Sequence, residues 1–239
     1  MVELLAAITV LAVGLMAVFV MFQTGLTQIR RASTITTAGA LGDTEMEKYR
    51  AIKYESLGLD NTDVDAADAL YTSDSAYRGD SSPSTTLAAG VTVAQTSITV
   101  ASASGFPTVA PYLVQIDSEL LLVNAGVGTT TWTVKRGQME TTATTHAAAA
   151  PVTQKQRVQL VRCGTQPCTD MVPTKTVLGA DGKNYRVDTY VTWRTITNST
   201  SPASSGRLLK LITIVVRDTA APNRTWARVT SAFDESTGL

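Results

Sequence analysis

The chain has 239 residues, 44% of them hydrophobic and 17% charged, with a formal net charge of zero. That length holds one large or two modest domains with ample core, and the neutral balance gives no reason for nucleic acid as an obligatory partner. Aromatics are only 6%, and Ser, Thr and Ala dominate long stretches, which suits an extracellular β-rich surface better than an enzyme pocket.

The first element is a helix. From Leu4 to Phe22, nineteen residues carry no charge, and Thr9 is the only polar side chain. At 1.5 Å per residue they extend about 28 Å, enough to cross the hydrocarbon core of a bilayer. Glu3 stands at the front edge, where an unpaired carboxylate taken to mid-membrane costs roughly 2.5–3.5 kcal/mol. Leu26, Ile29, Ala32, Ile35, Leu41, Met46, Tyr49 and Ile52 continue the apolar pattern at mostly helical spacing among polar residues. One helix is therefore predicted over residues 1–53, apolar in its first half and amphipathic in its second. Gly14 and Gly25 each weaken it by ~1 kcal/mol relative to Ala and mark where it can bend or melt.

The near-terminal glutamate and the run VELLAAITVLAVGLMAVF resemble the N-terminus of type IV pilins and the related pseudopilins. The likeness is close over about the first fifty residues and loose over the C-terminal sheet. It implies a structural subunit rather than an enzyme, with no catalytic residue, cofactor or metal. Subunits would wait in the cytoplasmic (inner) membrane through residues 4–22. The pilus assembly machinery would then extract them into a homo-oligomeric extracellular filament. The implied assembly residues are Glu3, Leu4, Leu5, Ile8, Leu11, Leu15, Phe19 and Phe22, with Glu3 meeting the terminal amine of an adjacent subunit or of its own chain. The family also implies removal of a short basic leader and N-methylation of the new terminus. Two departures stand out: only Met1 and Val2 precede Glu3, and the proline common in pilin helices is absent. Alternatives are a minor or tip pilin, a type II secretion pseudopilin, or a signal-anchored monomeric surface-binding protein. Arg30 and Arg31 by themselves would hold their side of the span in the cytoplasm.

Residues 54–85 lose periodicity, and Asp60, Asp63, Asp65, Asp68, Asp74 and Asp80 crowd the segment. It reads as a solvated acidic loop with one turn of helix near Val64–Leu70. Asp63, Asp65 and Asp74 stand at the first, third and twelfth positions of a calcium-loop frame, but Ala67 replaces a ligand and Asp68 the turn glycine. The acidic stretch is expected to meet a basic surface on a neighbouring subunit's C-terminal sheet, drawing on Arg186, Arg194, Lys210, Arg217 or Arg228.

Over residues 86–152 the texture changes to short alternating strands at 97–102, 112–117, 119–125 and 130–136, separated by glycine turns. With SGFP, VQIDSELLLV, TWTVKRG and TTATTHAAAA in succession, the stretch resembles small β-modules of phage virion proteins, although Ala148 and Ala149 stand where glycine is common. An inserted module is expected, suited to a tip adhesin or to a surface- or phage-receptor role.

Residues 153–239 resume with candidate strands at 155–163, 184–196, 207–218 and 224–234. Val187, Thr189, Val191 and Trp193 alternate with Arg186, Asp188, Tyr190, Thr192 and Arg194, so an antiparallel sheet with one buried and one wet face is predicted. The helix from about Ile29 to Ile52 is the partner available to cover it, giving an α+β head with an inserted all-β module. Cys163 and Cys168 bracket a short turn; with one histidine in the chain, a disulfide in an oxidising compartment is the better reading than zinc or two free thiols. Asn198-Ser199-Thr200 and Asn223-Arg224-Thr225 match the N-glycosylation sequon.

No nucleophile elbow, phosphate loop, HExxH or paired Cys-x2-Cys appears. His146 has no ordered acid near it in sequence and reads as a surface or turn residue. Trp132, Trp193 and Trp226 read as packing residues of strands.

Overall fold

The computed structural model describes residues 2–54, 57–59, 68–80, 82–139, 141–158, 171–196 and 207–234. Its first element, α1 (Val2–Arg50), is one unbroken helix of 49 residues, about 73 Å long at 1.5 Å per residue. Glu3 in its first turn and Lys48 and Arg50 in its last both complement the helix dipole. Gly14 and Gly25 do not interrupt it.

Two antiparallel sheets follow. The six-stranded sheet is ordered β1 (Ser84–Thr86), β6 (Pro151–Lys155), β3 (Tyr112–Ile116), β4 (Glu119–Ala125), β5 (Thr131–Lys135) and β2 (Ser97–Thr99). It encloses its own core, in which Trp132, Ile98, Val114, Ile116, Leu121 and Val123 are sealed from solvent. Phe106, Tyr112 and Trp132 form an aromatic cluster there, with the Phe106 and Trp132 ring centroids 5.0 Å apart. Ala149 adopts φ +65°, the left-handed conformation that explains why glycine suits this turn.

The four-stranded sheet is ordered β10 (Thr225–Phe233), β9 (Arg207–Asp218), β8 (Asn184–Ile196) and β7 (Thr174–Leu178). Ala38, Met46 and Tyr49 of α1 share one buried cluster with Val187, Val191, Ile212, Ile214 and Val216 of this sheet. Gly42 lets the two backbones approach: a Cβ there would meet Val229 Cγ2 at 2.9 Å.

Several sequence expectations need correction. The buried positions of α1 begin at Thr34 and include Glu45, whereas Leu26, Ile29 and Ile35 are exposed. Thr34 is tolerable there because its hydroxyl donates to the Arg30 carbonyl and accepts from Lys183 Nζ at 2.8 Å. Glu45 is held by Lys175 Nζ at 2.6 Å and Lys48 Nζ at 3.0 Å. Residues 64–67 of the helical turn expected near 64–70 lie outside the described residues, and the chain beyond them forms α2 (Ala69–Thr72), capped by the Asp68 carboxylate on the Leu70 and Tyr71 amides. Of the strand expected over 155–163, Lys155 closes β6 and Arg157 bridges to Thr192 of β8, while 159–163 lie outside the described residues. Strands β1 and β7 carry too short an alternation to be recognised alone.

Candidate functional site

The apolar end of α1 is the first candidate. In the described side chains from residue 2 to 33 none is buried, and α1 is the one described helix long and apolar enough to cross a membrane; a signal sequence shares those properties. Leu4, Ile8, Leu11, Leu15, Phe19 and Phe22 are each 57–69% exposed. At about 100° per residue they fall in one stripe roughly 80° wide. Glu3 is also exposed, in the first turn, and Leu5 belongs to the same helix. Burying six side chains of this size is worth about 9–18 kcal/mol, so water is a poor resting place for this segment.

A second constellation lies on the face of the four-stranded sheet opposite α1. That face is not wet: Asp188, Tyr190, Thr192, Val215 and Arg217 are all buried. Asp188 sits between Arg186 Nε at 2.7 Å and Arg217 Nε at 2.8 Å. The acidic segment closes over them. Asp68 meets Arg186 Nη2 at 2.7 Å, while Asp74 takes both Arg217 and, at 2.7 Å, Arg228. Burial alone would raise the Asp74 carboxyl, but the Ala76 amide and the two guanidiniums outweigh it and hold it below the usual carboxylate range. Tyr71 locks the arrangement: its hydroxyl donates to the Thr189 carbonyl at 2.6 Å, and its ring stacks on Tyr190 with centroids 4.4 Å apart.

These contacts correct an expectation. Asp68, Asp74 and Asp80 are not a solvated loop, and each meets a basic side chain of its own chain. Asp80 accepts the Gln156 and Arg157 amides at 2.8 and 2.9 Å, tying the segment that enters the six-stranded sheet to the one that leaves it. Lys210 donates to the carbonyls of Tyr54 and Leu57. Asp63 and Asp65 of the calcium frame lie outside the described residues, as do Asp60, Cys163, Cys168 and Asn198.

The third constellation surrounds His146, and here the surface reading is overturned. His146 is buried, with Nδ1 2.7 Å from Asp117 Oδ2 and Nε2 2.9 Å from Glu119 Oε2. Asp117 turns the β3–β4 hairpin at φ +51°. Glu119, fully buried, accepts both Arg136 Nε and Nη2 at 2.7 Å, the Gly137 amide at 2.9 Å and the Thr144 amide at 3.0 Å. Burial pushes its carboxyl up, yet Arg136 and these amides bring it down to about 2. Arg136 spends its remaining donors on the carbonyls of Thr92, Gln95 and Thr144. Both His146 nitrogens are thus engaged by carboxylates, leaving neither open as a general base. The cluster is a polar clamp across three connections, β1–β2, β3–β4 and β5–β6. Alternation held the clue: Glu119 shares a face with Leu121 and Val123, and an acid on an inward-facing position demands a partner.

Between the sheets lies a cleft of about 500 Å³ whose lining includes Arg78, Lys155, Arg194 and Arg228 but, among the described residues, no carboxylate. Comparison with protein-family models, curated proteins and solved structures gives no match. The class that the structure defines is therefore α+β, with one long N-terminal helix and antiparallel sheets.

Proposed function

We propose that the chain is a structural subunit of a type IV pilus-like surface filament, held in the inner membrane by α1 before assembly. The observation that supports this best is the exposure of every described side chain of α1 through residue 33, in a helix that then joins the core of a folded head. A helix apolar on all sides needs lipid or other helices around it. Identical subunits offering the Leu4–Phe22 stripe supply the second environment as the membrane supplies the first. On this reading Glu3 finds a positive partner in the assembled core, the terminal amine of a neighbouring subunit or its own. A subunit in the wrong register would leave two charges unpaired at low dielectric.

Within the family, the six-stranded sheet with its separate core suits a minor or tip pilin, and a type II secretion pseudopilin has the same helix. The cleft between the sheets favours one reading of another class, a signal-anchored monomer that binds ligands at the cell surface. Electron microscopy of fibres sheared from the cell surface, with peptide mapping of their protein, separates these readings. Fibres containing this chain support the filament. Its recovery only as a membrane-bound monomer refutes it.

A further inference from the structure

The turns β7–β8 and β9–β10 flank α1 where the helix leaves the head. They leave a cleft of about 500 Å³ lined by Arg30, Arg31, Lys183, Arg224 and Trp226, with Asp218 as the acid in the lining. Lys183 is committed: its Nζ donates to Thr34 Oγ1 at 2.8 Å and lies 3.6 Å from Asp181. Asp218 is partly committed as well, accepting the Ala220 amide at 2.9 Å. Among the described residues no carboxylate pairs with Arg30, Arg31 or Arg224. Arg224 stacks over the Trp226 ring, 5.2 Å from its centroid. Three guanidiniums outside any ion pair among the described residues, one carboxylate and an indole therefore line a single cleft beside the helix, with positive charge in excess.

Their height gives the site a meaning. Arg30 lies eight residues beyond Phe22, about 12 Å along the helix, and the headgroup layer adds about 5–7 Å beyond the hydrocarbon. Helical side chains lean towards the helix N-terminus, so Arg30 and Arg31 reach back towards the bilayer. Trp belongs at that level too, with an apolar ring and a polar edge. Guanidinium forks match phosphate oxygens in pairs.

We propose that this cleft binds the phosphate of an anionic phospholipid headgroup, with Arg30, Arg31 and Arg224 as its ligands and Trp226 as its interfacial wall. The site seats the head on the membrane before the subunit is used. It rests on the membrane-held stage of the proposed function and does not require filament formation.

The test is native mass spectrometry of the full chain in detergent micelles doped with phosphatidylglycerol or phosphatidylcholine. Wild type should retain phosphatidylglycerol at least tenfold better. Each arginine near an anionic surface is worth about fivefold (~1 kcal/mol), so R31Q/R224Q should weaken retention about 25-fold. The charge-matched control K53Q/K135Q, at lysines that line neither cleft, should leave it unchanged. All four positions are exposed, and circular dichroism checks that the fold is kept. Equal retention of the two lipids, or equal loss in the control, overturns the proposal. Emptying of the site by millimolar glycerol phosphate would also overturn it, identifying a site for free phosphate instead. Fibre yield is scored separately, so missing fibres with intact lipid retention count against the filament alone.

Discussion

Replacing Glu119 by Gln probes the clamp of the six-stranded sheet directly. The carboxylate accepts five hydrogen bonds, two on Oε1 and three on Oε2. An amide keeps one acceptor and turns the other position into a donor. Whichever way it is placed, at least two N–H groups then face an N–H. Removing one partner of a buried ion pair costs about 3–5 kcal/mol, because the other charge stays buried. A second route gives a similar figure. Between its ordinary value of 4.5 and about 2 in the folded protein, the Glu119 carboxyl accounts for roughly 3 kcal/mol of stability. The folded value is the depressed one, so this stability is complete above about pH 4.5 and disappears as pH falls towards 2. Hydrogen exchange of the full chain in detergent at pH 7 is the assay. In Glu119→Gln, amides of β3, β4 and β5 should lose more than a hundredfold of protection, about 3 kcal/mol. Amides of β8 and β9, which belong to another core, should stay within threefold. A loss under fivefold in β3–β5 would refute the reasoning and reduce the clamp to a set of local contacts.

Two helix glycines should respond with opposite signs. A Cβ at Gly39 meets nothing within 4 Å, so Gly39→Ala should raise the thermal midpoint through ~1 kcal/mol of helix propensity. Gly42→Ala runs into Val229, where overpacking of about 1–3 kcal/mol outweighs that gain, and equal shifts would contradict the close approach. Asp74→Asn should release Arg228, leave Arg217 paired with Asp188 alone and expose residues 69–80 to proteases, independent of protein concentration; a concentration-dependent effect would place the contact between subunits. Glu3→Ala should accumulate in the membrane yet enter fibres poorly, with Glu3→Asp milder, and normal fibre yield would leave Glu3 only a helix-start preference worth ~0.3–1 kcal/mol. Cys163 and Cys168 should be bonded in protein taken from the cell surface, a loop closure worth about 2 kcal/mol, and mass spectrometry finding two free thiols would contradict it.

What the sequence alone determined is local and periodic. Nineteen residues without charge dictate a helix that avoids water, and alternation at residues 184–196 places Val187 and Val191 on one face and Asp188 and Tyr190 on the other. Both follow from backbone geometry that repeats every 3.6 or 2 residues, so a short window suffices to read them. The exposed apolar end of α1 was legible for the same reason. Partner choice was not. Asp74 meets Arg217 across 143 positions of chain and Arg228 across 154, and His146 meets Asp117 and Glu119 across 29 and 27. An acidic segment and a basic strand attract whether they share a chain or not, so charge alone leaves the partner open. Tertiary structure decides it, because α2 and Tyr71 dock on Tyr190 and carry Asp68 and Asp74 onto arginines already committed to Asp188. The same holds for Thr34 and Glu45, polar residues that an apolar periodicity passes over. Their burial is set by Lys183 and Lys175, which reach them from the far end of the chain.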